Sequence, residues 1–198
     1  MQILDSKEEY LKQSDMIDYK NPLLLSKVNE IKKDYDSDID TAKALFEFVR
    51  DEIDHSFDIQ ASRVTKNASE VLMQGHGICY AKSHLLAALL RACEIPAGFC
   101  YQKLLFEEGS DQMCLHSLNG LYLESVDKWI RVDARGNKPG VNAQFDLEKE
   151  KLAFDVREEL GEADYLEVHA EPLPCITHSL EISESTKELQ TNLPQDIA

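Results

Sequence analysis

Between residues 38 and 53 the apolar side chains Ile39, Ala42, Leu45, Phe46, Val49 and Ile53 recur at helical spacing on one face, behind the acidic and hydroxyl start Asp36-Ser37-Asp38. Positions three and four apart share a helix face, and a first turn leaves N–H groups for side-chain acceptors, so the pattern predicts an amphipathic helix. Leu4–Ile17 and Leu23–Ile31 read as shorter helices, the second led by Pro22, whose fixed φ and missing N–H suit a first turn. His55–Asn67 has no period and reads as a loop, after which Ser69 with Glu70 suggests a short capped helix to Gln74. Gly75-His76-Gly77 signals a turn. The stretch Tyr80–Cys93 then runs almost unbroken in apolar residues, as a buried helix does.

Ile95-Pro96 closes the helical pattern, because a residue before proline is pushed out of the helical region. Gly98–Phe106, Cys114–Leu123 and Lys128–Ala134 are rich in aromatic and branched side chains, with turn material at 107–111 and 124–127 between them. They read as antiparallel strands. A further strand and turn are expected within Val141–Glu159, and the polar tail from Glu181, with a proline near its end, is expected to fray. Helices first and sheet second make an α+β fold. We read one domain over residues 1–180, with N-terminal helices in 1–54, a catalytic core at about 68–136 and the tail at 181–198.

Composition narrows the functional classes. A chain of 198 residues with 43% hydrophobic content has enough apolar material for one core. Against 21 Lys and Arg stand 37 Asp and Glu, a formal net charge of −16, which repels phosphate backbones and anionic headgroups. Nucleic acid and membrane are therefore not expected partners. Met1-Gln2-Ile3-Leu4 meets Asp5 at once, without the basic start and apolar run of an export signal, so a cytoplasmic location is expected. Cysteines at 79, 93, 100, 114 and 175 make an odd count, which argues for reduced thiols. Cys93, Cys100 and Cys114 lie among apolar neighbours and read as core. No C-x-x-C pair occurs, and His76, Cys79 and His84 alone are a poor zinc set, so no metal or other cofactor is expected.

Cys79 stands where the glycine turn enters the buried helix. At a helix N-terminus, unpaired N–H groups and the positive dipole end favour thiolate, the form that attacks carbonyl carbon. Downstream, His116 near the start of a strand is a candidate base, and Asp133, alternating with Ile130 and Val132, is a candidate orienting carboxylate. The Cys79 N–H is a ready oxyanion donor, Gln74 is a candidate second donor, and His76 and Gly77 are candidates to line the cleft. Arg135 near the site has the guanidinium to take a substrate carboxylate, or is a surface arginine in a turn. Taken singly, a cysteine at a helix start, a strand histidine and a strand-ending aspartate each have a structural reading. Their conjunction in the right kinds of element points to acyl transfer through sulfur. His84 lies some 140° round the helix from Cys79, by ~100° per residue, and reads as packing. His55, His169 and His178 attract no functional reading.

The runs "SEVLMQGHGICYAKSHLLAALLRACEIPAG" and "CLHSLNGLYLESVDKWIRVDARGN" resemble the core of the transglutaminase-like superfamily, papain-fold thiol enzymes whose catalytic order is Cys, His, Asp. Gly77 and Cys79 match its G-x-C motif; Leu89, Leu90, Arg91, Ile95, Pro96 and Ala97 match its L-L-R-x-x-x-I-P-A segment; Trp129 and Asp133 match its W-x-x-x-D. The resemblance covers roughly residues 40–136 and implies a papain-like architecture, with Cys79 as nucleophile, His116 as base and acid, and Asp133 as orienter. Ser117-Leu118 stand where the family often has Ala-Trp, so the wall beside the nucleophile is expected to differ. No acidic loop of the calcium-binding kind is present, and calcium activation is not implied. The expected function is thiol-dependent acyl transfer on a peptide or protein amide, by a protease, amidase or transglutaminase. The rival reading is a papain-like scaffold that binds a peptide or protein without turnover.

Overall fold

The structure, a computed structural model, describes residues 1–197 apart from 108 and 110. In chain order its elements are β1 (Gln2–Ile3), α1 (Pro22–Lys32), α2 (Asp38–Glu52), β2 (Asp54–His55), α3 (Ala68–Gln74), β3 (His76–Gly77), α4 (Cys79–Ala92), β4 (Ala97–Leu105), β5 (Met113–Leu123), β6 (Lys128–Val132), β7 (Ala163–His169), α5 (Pro174–Ile182) and α6 (Thr186–Thr191). The fold is α+β and papain-like: helices gather on α4, and the sheet has the strand order β1-β7-β4-β5-β6. β1 runs parallel to β7, whereas the β7–β4, β4–β5 and β5–β6 pairs are antiparallel. Among the described residues no helix is long and apolar enough to cross a membrane.

α4 is buried along its length, every residue from Tyr80 to Arg91 included. Its apolar side chains join one core cluster with Leu24, Leu45 and Phe46 from the helices and Phe99, Leu121 and Val132 from the sheet. Its buried charged and imidazole side chains are tolerated because they are bonded. The Lys82 ammonium donates to the Ile53 carbonyl at 2.5 Å, and His84 Nδ1 pairs with the Lys66 carbonyl at 2.7 Å. The Arg91 guanidinium donates to the carbonyls of Lys12, Ala97 and Ala170, tying the helix end to both chain neighbours of the sheet.

Several expectations need correction. Leu4–Ile17 is not a helix: β1 and a 3₁₀ turn at Glu9–Leu11 replace it. Its apolar residues act singly, with Tyr10 wedged against Trp129 at 4.9 Å between centroids and donating to the Val168 carbonyl at 2.6 Å. α3 is capped by Asn67, whose side chain accepts from the Glu70 N–H, and not by Ser69. Within Val141–Glu159 there are only isolated bridges and no named strand among the described residues. β7 and α5, which follow it, were not expected. Of the turn expected at 107–111, residues 108 and 110 lie outside the described residues. The tail is packed against the domain: α6 buries Leu189, Leu193 joins the main core, and the Leu115 N–H donates to the Pro194 carbonyl at 2.8 Å. Ala198 lies outside the described residues.

A β-carbon on Gly98 would sit 2.5 Å from the His169 carbonyl oxygen and 2.8 Å from the Tyr10 ring, so β4 needs glycine where it meets β7. Gly98→Ala is expected to destabilise the fold by about 3 kcal/mol in urea titration, because rigid backbone leaves the new methyl no room.

Candidate active site

Cys79 is the first residue of α4, reached through the extended residue Ile78 (φ −75°, ψ 172°), which offers no side-chain cap. The first-turn N–H groups are therefore left to whatever occupies the space in front of them. Gly77 is buried and held by packing: a β-carbon there would lie 3.1 Å from the Ala81 methyl and 3.2 Å from Thr65 Oγ1. Cys79 opens into a cleft of about 730 Å³ that His116 and Arg135 also line.

His116, on β5, pairs through Nε2 with Asp133 Oδ2 at 2.7 Å and lines the same cleft as Cys79. Asp133, just beyond β6, has no solvent exposure. Its Oδ1 accepts from the Arg135 N–H at 3.0 Å, and its Oδ2 also accepts from the Ala153 N–H at 3.1 Å. Burial opposes the charge on both groups. For His116 the charges of Asp133 and Cys79, together with the Asp133 hydrogen bond, override burial and raise the imidazole to about 10. For Asp133 burial is overcome by the His116 charge and hydrogen bond and by the two backbone donors, which hold the carboxyl below its usual range. Phe154 packs edge-on against His116 at 5.1 Å between ring centroids and covers the pair.

The other sequence candidates divide. Arg135 lines the cleft but is not a surface residue: it is buried and forks onto Asp58 at 2.5 and 2.9 Å, with Lys138 on the same carboxylate at 2.8 Å. Those bonds, set against burial, hold the Asp58 carboxyl far below its usual range. Gln74, at the end of α3, His76 and Gly77 do not line the cleft. The His76 Nδ1 is paired with Ser56 Oγ at 2.9 Å, and its carbonyl accepts from Thr65 Oγ1. Cys114, read as core, is half-buried and lines the cleft. His84 is as expected, whereas His55 and Lys82 have surroundings that the sequence reading did not anticipate. His84 is packing, edge-on to Phe99, with burial pushing it down to about 4. Lys82, unremarked in sequence, is buried one turn past Cys79, and burial lowers it to about 7. His55 lines the cleft, and no periodicity or motif around it marks that role. Among the described residues no group of three or more His, Cys, Asp or Glu is arranged to hold a metal ion.

The sequence profile of the transglutaminase-like superfamily matches residues 26–134, a span that includes Cys79, His116 and Asp133. No curated protein matches the chain significantly. Among solved structures, a candidate cysteine protease from Cytophaga hutchinsonii is similar, with a TM-score of 0.54 and 19% identity. The match covers 67% of this chain and 43% of that one, so the chain spans less than half of that relative, and at this identity the likeness is one of fold.

Two expectations follow from the buried pair. Its His116 contribution to stability is fully present below the ordinary imidazole value of 6.5 and is lost as pH rises toward 10; the Asp133 contribution is present above 3.8 and lost as pH falls below it. The stability gap between wild type and His116→Gln should thus be widest between these limits and narrow steadily from pH 6.5 to 10 in urea titrations. Asp133→Ala, which strands the imidazolium and two backbone donors, should cost about 3–5 kcal/mol at pH 6.

Proposed function

The chain belongs to the transglutaminase-like superfamily, and on that footing we propose that it is a thiol enzyme that transfers the acyl group of a peptide or protein amide through Cys79. The sulfur, paired with the His116 imidazolium, attacks the amide carbon, and the carbonyl oxygen takes the electron pair. The Cys79 N–H at the uncapped start of α4 faces that oxygen. Collapse of the tetrahedral species expels the amine with the proton from His116 and leaves a thioester. Water or a second amine then attacks the thioester as His116 accepts its proton, and the thiolate departs. Water makes the enzyme a protease or amidase; an amine makes it a transglutaminase.

The observation that carries this reading is the imidazole of His116, bonded to a fully buried carboxylate at 2.7 Å and lining one cleft with the Cys79 sulfur, which is near enough to raise the imidazole. A merely structural Asp–His pair has no need of a thiol at its open end. Asp133 holds the ring in orientation and stabilises its charge without itself taking a proton. Phe154 and the Asp58–Arg135 ion pair wall the cleft.

Cys79→Ala should abolish amine release from peptide amides while leaving the urea midpoint near that of wild type. A variant that kept most of its turnover would rule the mechanism out. At pH 7, alkylation of Cys79 by iodoacetamide, followed by peptide mass spectrometry, should slow in His116→Ala, which removes the proton carrier beside the sulfur.

A further inference from the structure

His55 closes β2, the short strand that runs parallel to β3. In that register it lies opposite Gly77, and the next N–H, that of Ser56, donates to the Gly77 carbonyl at 3.1 Å. Its backbone is therefore tied to the strand that leads two residues later into Cys79. Its imidazole lines the same cleft as Cys79 and His116 and is 8% exposed. Yet Nδ1 is shut off from solvent and has no hydrogen-bond partner. Among the described residues three other buried side-chain atoms share that condition, on Ser14, Gln102 and Asn119, and none of those residues lines the cleft.

A histidine buried for packing normally has its ring nitrogens bonded, as His84 does to the Lys66 carbonyl. In His55 the sealed Nδ1 lacks that bond, and Nε2 is the nitrogen left to meet an incoming group. The ring is also kept neutral. Burial is the main cause; the charges of Arg135, Lys82 and His116 add to it, and Asp58 alone among its close neighbours opposes it. A neutral imidazole carries one N–H donor and one acceptor. With Nδ1 sealed from the cleft, the proton a substrate can meet is the one on Nε2. His116 already serves as the proton carrier, so the part left for a neutral donor beside Cys79 is to bond the oxygen on which charge develops.

Resting on the reading of Cys79 as nucleophile, we propose that His55 is a further catalytic residue, donating a hydrogen bond to the substrate acyl oxygen beside the Cys79 backbone N–H. It fills the place that sequence offered to Gln74, which does not line the cleft. Arg135 does not compete for it, because both terminal nitrogens of its guanidinium are committed to Asp58.

The test separates two reactions of the same sulfur. Attack on p-nitrophenyl acetate creates an oxyanion, whereas iodoacetamide is displaced at saturated carbon and creates none. In the full chain, His55→Phe should slow the p-nitrophenolate burst by about 100- to 1000-fold and leave the rate of Cys79 alkylation nearly unchanged. His55→Gln, which keeps an N–H donor, should recover a large part of the burst. An undiminished burst in His55→Phe overturns the proposal, and so does an equal fall in both reactions, which would make the ring a packing element. If His55→Phe does not fold, His55→Met carries the same comparison. A wild-type protein that is alkylated at Cys79 but never acylated overturns the acyl-transfer reading itself, and the His55 role with it.

Discussion

A carboxylate with no access to water governs the architecture around the site. Asp133 is tolerated in the interior only because its oxygens are bonded and a counter-charge lies beside it. The donors come from three separate places: His116 from β5, the Arg135 N–H from the chain just past β6, and the Ala153 N–H from the irregular segment that follows. The last has no sheet or helix to hold it, and side chains do the work instead. Arg131 binds Glu150 and Asp164 in a double fork, Asn137 exchanges two hydrogen bonds with Ala143, and Lys128 donates to the Leu147 carbonyl. Each anchor fixes a stretch of backbone that would otherwise be free to take the third donor away from Asp133.

The same economy shapes α4. A helix packed on all sides has to bring its polar residues inside, and the protein spends them as connectors: Lys82 to the end of α2, His84 to the loop before α3, and Arg91 to three carbonyls near the sheet. The helix that presents Cys79 is thus fixed at several points along its length, and its N-terminus is held in position relative to His116 by the core, by the Tyr80 hydroxyl on the Leu115 carbonyl at 2.7 Å, and by Gly77 beneath it. Precision at the sulfur is a property of the whole core.

What could be seen in the sequence divides along the range of the interactions involved. α2 was legible because burial on one face leaves a periodic trace, α4 because burial on all faces leaves a long apolar run, and β4, β5 and β6 because their branched and aromatic runs are bounded by turns. β7 has the intermittent burial of a strand between the short β1 and β4, and its mixed composition hid it. The tail misled through its polar residues: Leu189 and Leu193 are few, but both are buried. At the site, Cys79, His116 and Asp133 were conspicuous as residue types in suitable elements. His55 and the Asp58–Arg135 pair depend on contacts between segments far apart in the chain, hydrogen-bonded across 77 residues in the case of the pair, and no local pattern encodes them.

The C-terminal segment that runs back along the start of β5 has a consequence for the boundaries of the enzyme. The family match stops at residue 134, yet Gln190 and Leu193 are part of the cleft wall, and the residue next to His116 is hydrogen-bonded to Pro194. Lys103 and Tyr165 both grip Asp196, clasping the chain end across β4 and β7. Cys79, His116 and Asp133 lie inside the family span, but the wall of the cleft they share or adjoin is completed by residues outside it. Two members of the superfamily with identical reacting groups can therefore diverge in selectivity through their last few residues alone.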